Sequence, residues 1–255
     1  MTARLELIPL LRFPLVEPGD DLAQIISDAL RDNGLILQAG DVLVVAQKVV
    51  SKAENRYVRL RDVSVSAEAA ELAVQADKDP RQVQLILQES SAVLRVRPGV
   101  IIVEHRNGYV HANAGIDKSN ICRDAQDPRV LLLPQDPDAS ARKLRQGLAA
   151  LCAIAPQVII NDSMGRAWRN GTVGMAIGTA GLEPLYNQIG DVDMFGNVLE
   201  VTEPAVADEL AAGASLVMGQ AAEGCPVVLA RGAQLLPSEG GSRSLLRDKS
   251  MDMFR

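Results

Sequence analysis

The chain has 255 residues, of which 47% are hydrophobic and only 3% aromatic. This length allows one large domain or two small ones, and so apolar a composition excludes a disordered chain. The formal net charge of −6 argues against a nucleic-acid-binding protein, which would need a basic face.

The cysteines and the apolar segments narrow the class further. Cys122, Cys152 and Cys225 lie far apart and form no C-x-x-C pair, so we expect reduced thiols rather than a disulfide framework or a structural zinc site. The N-terminal segment mixes charges and prolines into its apolar stretch, unlike a signal peptide. No segment has the roughly 18 uncharged apolar residues of a membrane span. We therefore expect a cytoplasmic protein without a membrane partner.

The first third of the chain alternates predicted helices and strands. The apolar spacing in DDLAQIISDALRDNG predicts an amphipathic helix that ends at Gly34. The β-branched run in DVLVVAQKVVSK predicts a buried strand that leads to Lys48 and Lys52. Helices are predicted in SAEAAELAVQADKD and DPRQVQLILQESS, the second with Pro80 in its first turn.

A hairpin is predicted in VIIVEHRNGYVHANAG, because Asn-Gly is the preferred dipeptide of a two-residue type I′ turn. With Asn107 and Gly108 at the turn, the register places Glu104 opposite His111 and His105 opposite Val110.

The second half continues with strand–helix units. RVLLLPQDPDASARKLRQGLAALC predicts a strand, a proline-marked turn and a helix; QVIINDS predicts a buried strand, TEPAVADELAAGASLVMGQ a helix and PVVLARG a last strand. A hairpin mixed with such units indicates an α+β or mixed α/β fold. We expect residues 1–235 to form a single catalytic unit and residues 236–255 a loosely held tail.

The segment INDSMGRAWRNGTVGMAIGTAGLEPL combines charges with glycines. It could be a turn with solvated charges, in which the glycines allow close strand packing, or a site for a phosphate and its metal ion. Neither G-x-x-x-x-G-K-[ST] nor a strand-to-helix G-x-G-x-x-G occurs, so the fold has no P-loop and the glycine spacing alone favours packing.

Two acids and two lysines are the better candidates for chemistry. Asp117 and Asp162 lie at strand ends or on short loops, where ligand-binding groups concentrate, although each alone could simply form a turn. Lys48 and Lys52 could be solvated or could supply point charges for phosphates. For the two histidines we favour a structural or surface role over catalysis. A metal site would then be rich in oxygen ligands, as Mg²⁺ and Mn²⁺ prefer.

Taken together, five segments resemble the coenzyme F-420-0:L-glutamate ligases, also called F-420 γ-glutamyl ligases. The resemblance runs in order from Leu5 to Gly232, and its motifs are long and distinctive. The segments are GDVLVVAQKVVSKAEN, VIIVEHRNGYVHANAGIDKSN, LLLPQDPDAS, NDSMGRAWRNGTVGMAIGTAGLEPL and VTEPAVADELAAGASLVMGQAAEGCPVVLARG. We expect the free-standing form, because the chain ends before the flavin-reductase-like domain that some relatives add.

The resemblance implies a fold, an assembly and a reaction. The fold would be α+β and two-lobed, without a P-loop, and the chain would form an intertwined homodimer. The enzyme would use GTP and Mn²⁺ or Mg²⁺, as two ions, to join L-glutamate to F-420-0, and would then add further γ-linked glutamates. The resemblance also leaves room for a monovalent cation. Because a carboxylate and an amine do not condense in water without activation, an acyl phosphate is the expected intermediate.

The resemblance also implies residue roles. Asp117 and Asp162 would be catalytic metal ligands, joined by Ser163 and Gln220. The chemistry of phosphoryl transfer, rather than the resemblance, predicts that Arg166 and Arg169 are catalytic through positive charge on phosphate, and that the glycines after them let a ligand approach the backbone. GTP contacts are implied for Phe13, Pro14, Leu15, Val16, Gln47, Lys52, Asn120, Gly219 and Gln220.

Two other functions are compatible with the same residues. A metal-dependent phosphohydrolase needs the same acids but no amine acceptor, and would cleave GTP without glutamate. A nucleotide- or flavin-binding regulatory protein would bind tightly without turnover.

Overall fold

The chain forms a mixed five-stranded sheet, accompanied by a two-stranded and a three-stranded sheet. The computed structural model describes residues 4–121 and 126–253. The architecture is the α+β fold that the sequence predicts. The strands are β1 (Glu6–Pro9), β2 (Val42–Ala46), β3 (Tyr57–Arg59), β4 (Ser90–Arg97), β5 (Val100–His105), β6 (Val110–Ala112), β7 (Arg129–Leu131), β8 (Gln157–Arg166), β9 (Arg169–Ala180) and β10 (Val227–Arg231). The helices are α1 (Leu22–Asp32), α2 (Gln47–Ala53), α3 (Ala67–Ala76), α4 (Pro80–Gln88), α5 (Pro137–Cys152) and α6 (Val206–Met218).

The large sheet has the strand order β1-β10-β2-β8-β9, and only β2 and β8 are parallel neighbours. Their apolar runs are buried on both faces, as expected for parallel strands under helices. Alternate side chains face opposite layers. One face packs on α1 and α5, and the other packs on α6. The polar residues that follow each apolar run therefore meet at the carboxyl end of β2, where Ala46 lies opposite Asn161 in the middle of β8.

Helix ends follow their local chemistry. The Asp21 carboxylate accepts hydrogen bonds from the backbone N–H groups of Ala23 and Gln24 and caps α1. Gly34, with φ +67°, follows the helix end, as predicted. Pro80 occupies the first turn of α4, where its missing N–H has no partner to lose. The predictions for these two helices are confirmed.

The predicted buried strand forms as β2 and leads to Lys48 and Lys52, but it ends at Ala46, and both lysines lie on α2, which begins at Gln47. The β-branched pair Val49 and Val50 favours a strand locally. In the structure both valines are buried against the core from a helix, so burial outweighs local propensity. The two lysines consequently lie one helical turn apart.

The predicted hairpin forms between β5 and β6, but its register differs by one residue. A type I′ turn requires positive φ at two residues, whereas Asn107 has none and only Gly108 does, at +98°. The Gly108 N–H donates to the His105 carbonyl at 2.8 Å, which makes a three-residue loop with a bulge at glycine. As a result Glu104 lies opposite Val110, and His111 lies opposite Val103.

Residues 236–253 run back along the rest of the chain. Ser242 donates its N–H to Asp138 Oδ1 at 2.9 Å, and Lys249 pairs with Glu104 at 2.8 Å. The division of the chain at residue 235 stays a prediction. Cys152 and Cys225 are free thiols, and Cys122 lies outside the described residues. Within the described ranges no helix is long and apolar enough to span a membrane.

Candidate functional site

A cavity of about 330 Å³ opens at the carboxyl end of β2, beside the middle of β8. Small-molecule sites fall roughly between 300 and 1,000 Å³, and in open α/β sheets ligands bind at this edge. Three loops close the cavity. Their residues are 13–16 after β1, 219–226 before β10, and Asn120 in the loop that follows Asp117.

The structure brings most of the predicted site residues together. Asp162 and Ser163 line the cavity from the middle of β8, next to the end of β2. Lys48, a candidate for phosphate contact, lines the cavity as well, and so does Asn161, which the sequence did not single out. The function of the predicted residues as ligand contacts stays a prediction. The residues predicted to contact GTP all line the cavity: Phe13, Pro14, Leu15, Val16, Gln47, Lys52, Asn120, Gly219 and Gln220.

Asp117 is bonded to the cavity wall rather than placed in it. Gln47 Nε2 donates to Asp117 Oδ2 at 2.7 Å, and Lys48 Nζ lies 2.9 Å from the same oxygen. A pair of backbone hydrogen bonds to Leu131 fixes the position of Asp117. Burial raises the pKa of the Asp117 carboxyl, Lys48 opposes this rise, and the negative charge of Asp162 adds to it.

Asp162 is paired with a histidine that sequence reasoning assigned to a structural or surface role. His111 Nε2 lies 2.9 Å from Asp162 Oδ2, and His111 Nδ1 lies 2.9 Å from the Ala112 carbonyl. Because a carbonyl only accepts, Nδ1 carries a proton, and a second proton is shared between Nε2 and the carboxylate. Burial alone would lower the pKa of His111, but the hydrogen bond and charge of Asp162 outweigh it and raise that pKa. The two residues are 51 positions apart, and no sequence signal joins them.

The oxygen atoms at this edge fit a hard divalent cation. Ser163 Oγ donates to Gln220 Oε1 at 2.8 Å, and with Asp117 and Asp162 these side chains offer two carboxylates, a hydroxyl and an amide carbonyl. Mg²⁺ and Mn²⁺ prefer such ligands. The repulsion between the carboxylates of Asp117 and Asp162 also favours a cation site, because a bound cation would relieve it. Over residues 4–121 and 126–253 no three His, Cys, Asp or Glu side chains form a metal-binding group, so neutral oxygens would complete the coordination.

Positive charge gathers around Lys52. Burial lowers the pKa of Lys52; Glu17 opposes this shift, and the neighbouring charges of Lys48 and Arg129 add to it. An anion between these groups would relieve both the burial cost and the repulsion. The arrangement therefore suits phosphate oxygens.

Arg166 and Arg169 lie apart from the cavity. They face each other across the β8–β9 turn, where Arg166 Nη1 donates to the Gly171 carbonyl at 3.2 Å. Arg166 lies three residues beyond Ser163, which is about 10 Å along an extended strand. The structure thus does not bring these arginines to the cavity of their own chain, and their catalytic role stays a prediction.

The glycines of β9 serve packing. A Cβ atom at Gly174 would overlap Ser215 Oγ and the Ala211 carbonyl on α6. One at Gly178 would come within 2.5 Å of the Pro137 backbone at the start of α5. These two glycines let helices approach both faces of the sheet, which corrects the expectation that they admit a ligand.

Fold and cavity together define an α+β protein whose binding pocket lies at the carboxyl end of β2, beside its parallel neighbour β8. The family model described as F420-0:Gamma-glutamyl ligase matches residues 10–232. The chain belongs to this family.

Several curated relatives are similar over nearly their whole length. The Coenzyme F420:L-glutamate ligase of Methanothermobacter thermautotrophicus is 47% identical over 244 residues, 95% of each chain. The protein of the same name from Methanopyrus kandleri is 45% identical over 258 residues, 100% of this chain and 98% of the relative. That of Methanocaldococcus jannaschii is 42% identical over 219 residues, 86% of each.

Proposed function

We propose that the chain joins L-glutamate to coenzyme F-420-0 with GTP and a divalent cation, and then adds further γ-linked glutamates. The observation that carries the proposal is a cavity lined by Asp162, Lys48 and Lys52, with Asp117 bonded to Lys48 in its wall, in a chain of the γ-glutamyl ligase family. The carboxylates suit a cation and the lysines suit phosphates.

Side chains of opposite charge would bind different parts of the substrate complex. Lys48 and Lys52 would bind the phosphates of GTP, and the loop of Phe13–Val16 would cover the nucleotide. Asp117, Asp162, Ser163 and Gln220 would hold the cation, which when bound neutralises charge on the phosphate oxygens. His111 holds Asp162 in place through its Nε2 proton.

The reaction has two steps. A carboxylate oxygen of F-420-0 attacks the γ-phosphorus of GTP, the bond to the β-phosphate oxygen breaks, and GDP leaves. The uncharged amine of glutamate then attacks the acyl carbon, inorganic phosphate departs with the bonding electrons, and the amine loses a proton. The positive side chains stabilise the charge that develops in both steps.

The test is phosphate release by the purified protein with F-420-0, GTP and Mn²⁺, measured with and without L-glutamate and followed by mass spectrometry of the products. An acyl phosphate hydrolyses if water reaches it, so a ligase should release phosphate slowly until the amine is present. We expect glutamate to raise the rate and the product mass to increase by glutamyl units. Equal rates without such a product would instead identify a phosphohydrolase.

A further inference from the structure

A second cavity, of about 590 Å³, lies outside the site described above. Its walls come from three places: the β5–β6 turn around Arg106, the start of α5, and the C-terminal residues 242–249. Its floor includes Ile177 of β9. We call it the tail cavity.

The tail cavity lies near Asp162 on the same face of the sheet. Asp162 is opposite Met175 in the β8–β9 ladder, and Met175 and Ile177 both pack into the core on the α5 side. Ile177 is two residues beyond Met175, which is about 7 Å along a strand. At the other wall, Gly108 is three residues before His111, whose ring contacts Asp162. Asp162 and the tail cavity are thus neighbours along β9 and along the β5–β6 hairpin.

The acidic side chains on the C-terminal wall and on β5 have protein partners. Glu104 pairs with Lys249 at 2.8 Å. Asp248 accepts a hydrogen bond from the Ser250 N–H at 2.8 Å. Both carboxylates thus have hydrogen-bonding or ionic partners, and Lys249, the lysine that lines the cavity, is paired with Glu104.

The two aspartates at the start of α5 are also bonded. Asp136 Oδ1 accepts from the Ala139 N–H at 2.9 Å and caps the helix. Asp138 Oδ1 accepts from the N–H groups of Thr179 and Ser242, at 2.8 and 2.9 Å. Asp138 thus ties the C-terminal segment to β9 and fixes the shape of the wall.

Three arginines of the tail cavity have hydrogen-bond donors that the protein does not use, although the four cations of its lining are matched in number by four carboxylates. Within the described ranges, the guanidinium groups of Arg243 and Arg247 make neither a hydrogen bond nor an ion pair. Arg106 has a single long contact, 3.5 Å from its Nη2 to Glu89 Oε1. Three guanidinium groups with donors to spare therefore face one cavity, and arginine binds carboxylates with two parallel hydrogen bonds.

We propose that the tail cavity binds the free α-carboxylates of an acceptor that already carries γ-linked glutamates. This inference rests on the proposed function. A γ-linkage consumes the amine of one glutamate and the γ-carboxyl of another, so every added unit keeps one α-carboxylate. With the terminal γ-carboxylate beside Asp162, the α-carboxylates of the chain reach Arg106, Arg243 and Arg247.

Direct binding tests the cavity without turnover. Isothermal titration of the full chain with γ-glutamylglutamate compares the wild type, the double variant Arg243→Ala/Arg247→Ala, and Arg142→Ala, an exposed arginine of α5 outside the cavity. We expect the double variant to bind at least tenfold more weakly and Arg142→Ala to bind within twofold of the wild type. Equal binding by all three proteins, or binding of inorganic phosphate as tight as that of the dipeptide, would overturn the proposal.

Kinetics separate the tail cavity from the ligase activity itself. The KM of the double variant should rise more for an acceptor with two glutamates than for F-420-0, by a factor of at least ten. A purely structural effect of the substitutions would raise both values together and would overturn the proposal. If the wild type forms no product but binds the dipeptide through Arg243 and Arg247, the proposed function fails and the anion site stands.

Discussion

Two carboxylates beside the first cavity, the partly buried Asp117 and the buried Asp162, repel each other, and each has one positively charged partner. Like charges in a low-dielectric site cost stability unless a ligand uses them. The pair is therefore better explained by binding than by folding. Removing one of the charges should separate these two effects.

Asp162→Asn keeps the volume of the side chain and a hydrogen-bond acceptor for His111, but removes the charge that would face a cation. We expect turnover to fall about 10²- to 10³-fold, the size seen when one group that stabilises transition-state charge is lost. The unfolding temperature should stay the same or rise, because the repulsion with Asp117 is gone. Glutamate-dependent phosphate release at limiting Mn²⁺ and thermal unfolding by circular dichroism measure the two effects. Near-normal turnover would remove Asp162 from the proposed site.

Lys52→Ala should weaken GTP more than glutamate, because a point charge beside phosphates acts on the nucleotide. A charge-assisted hydrogen bond contributes on the order of 1–3 kcal/mol, which is about a 5- to 150-fold rise in the apparent KM for GTP. Lys143→Ala, on the exposed side of α5, is the matched control. An unchanged KM for GTP in Lys52→Ala would make this lysine a solvated surface residue.

His105 makes stability depend on pH. Its ring is buried, stacks on Tyr109 and accepts the Asn107 N–H at Nδ1, so protonation would break that bond. Burial is the main cause that lowers the pKa of His105 to about 4. Below pH 6.5 the unfolded chain therefore binds a proton that the folded chain refuses, and stability is lost as the pH falls from 6.5 towards 4.

Between pH 7 and pH 5 this linkage amounts to about 2 kcal/mol in the free energy of unfolding. Urea denaturation at both pH values should show that His105→Gln loses most of this dependence, whereas the wild type keeps it. Ligase activity at pH 7 should change little in His105→Gln. The same pH dependence in variant and wild type would refute the assignment to His105.

At the scale of elements, the glycines of β9 set the distance between the sheet and its helices. A methyl group at Gly174 would overlap atoms of α6, including a backbone carbonyl that cannot move alone. Gly174→Ala should therefore destabilise the fold by about 1–3 kcal/mol, as overpacking does. Gly165→Ala in the same hairpin is the control, because its Cβ would meet nothing within 4 Å. Urea midpoints of both variants measure the difference, and equal midpoints would contradict the packing role.

Elements with a strong local signal could be predicted, and pairings between distant residues could not. The spacing of α1 and the proline of α4 identify these helices because the signal lies within one segment. Asn107 and Gly108 suit two kinds of turn, and the register depends on which one the sheet accepts. Strand β4 was not predicted, since its exposed face carries Arg95 and Arg97 and only the opposite face packs.

The residues of the candidate site also differ in whether the sequence alone predicts them. Strand ends and the family resemblance led to Asp117 and Asp162, and the cavity now joins most of the predicted contacts. The pairing of His111 with Asp162 depends on how β6 crosses β8, which no periodicity encodes. Nor does the sequence show that Arg166 and Arg169 lie at a hairpin tip away from the cavity.

At the scale of the whole molecule, we expect a partner chain to contact the tip of the β8–β9 hairpin. It carries Trp168, which is 86% exposed, between the two arginines that do not reach their own cavity. We expect a homodimer, as the resemblance implies, with this tip covered. Light scattering should give the mass of two chains for the wild type and for Val74→Glu, and a lower mass for Trp168→Glu. A dimer that is unchanged in Trp168→Glu would place the interface elsewhere.

Trp168 is also the only tryptophan of the chain, and most of its surface is exposed to solvent. Its emission spectrum therefore carries almost no information on whether a lone chain is folded, since the indole is in water in both states. The same spectrum should shift to the blue when another surface covers the hairpin. Intrinsic fluorescence, normally a monitor of unfolding, is in this protein an optical probe of contact at a single turn.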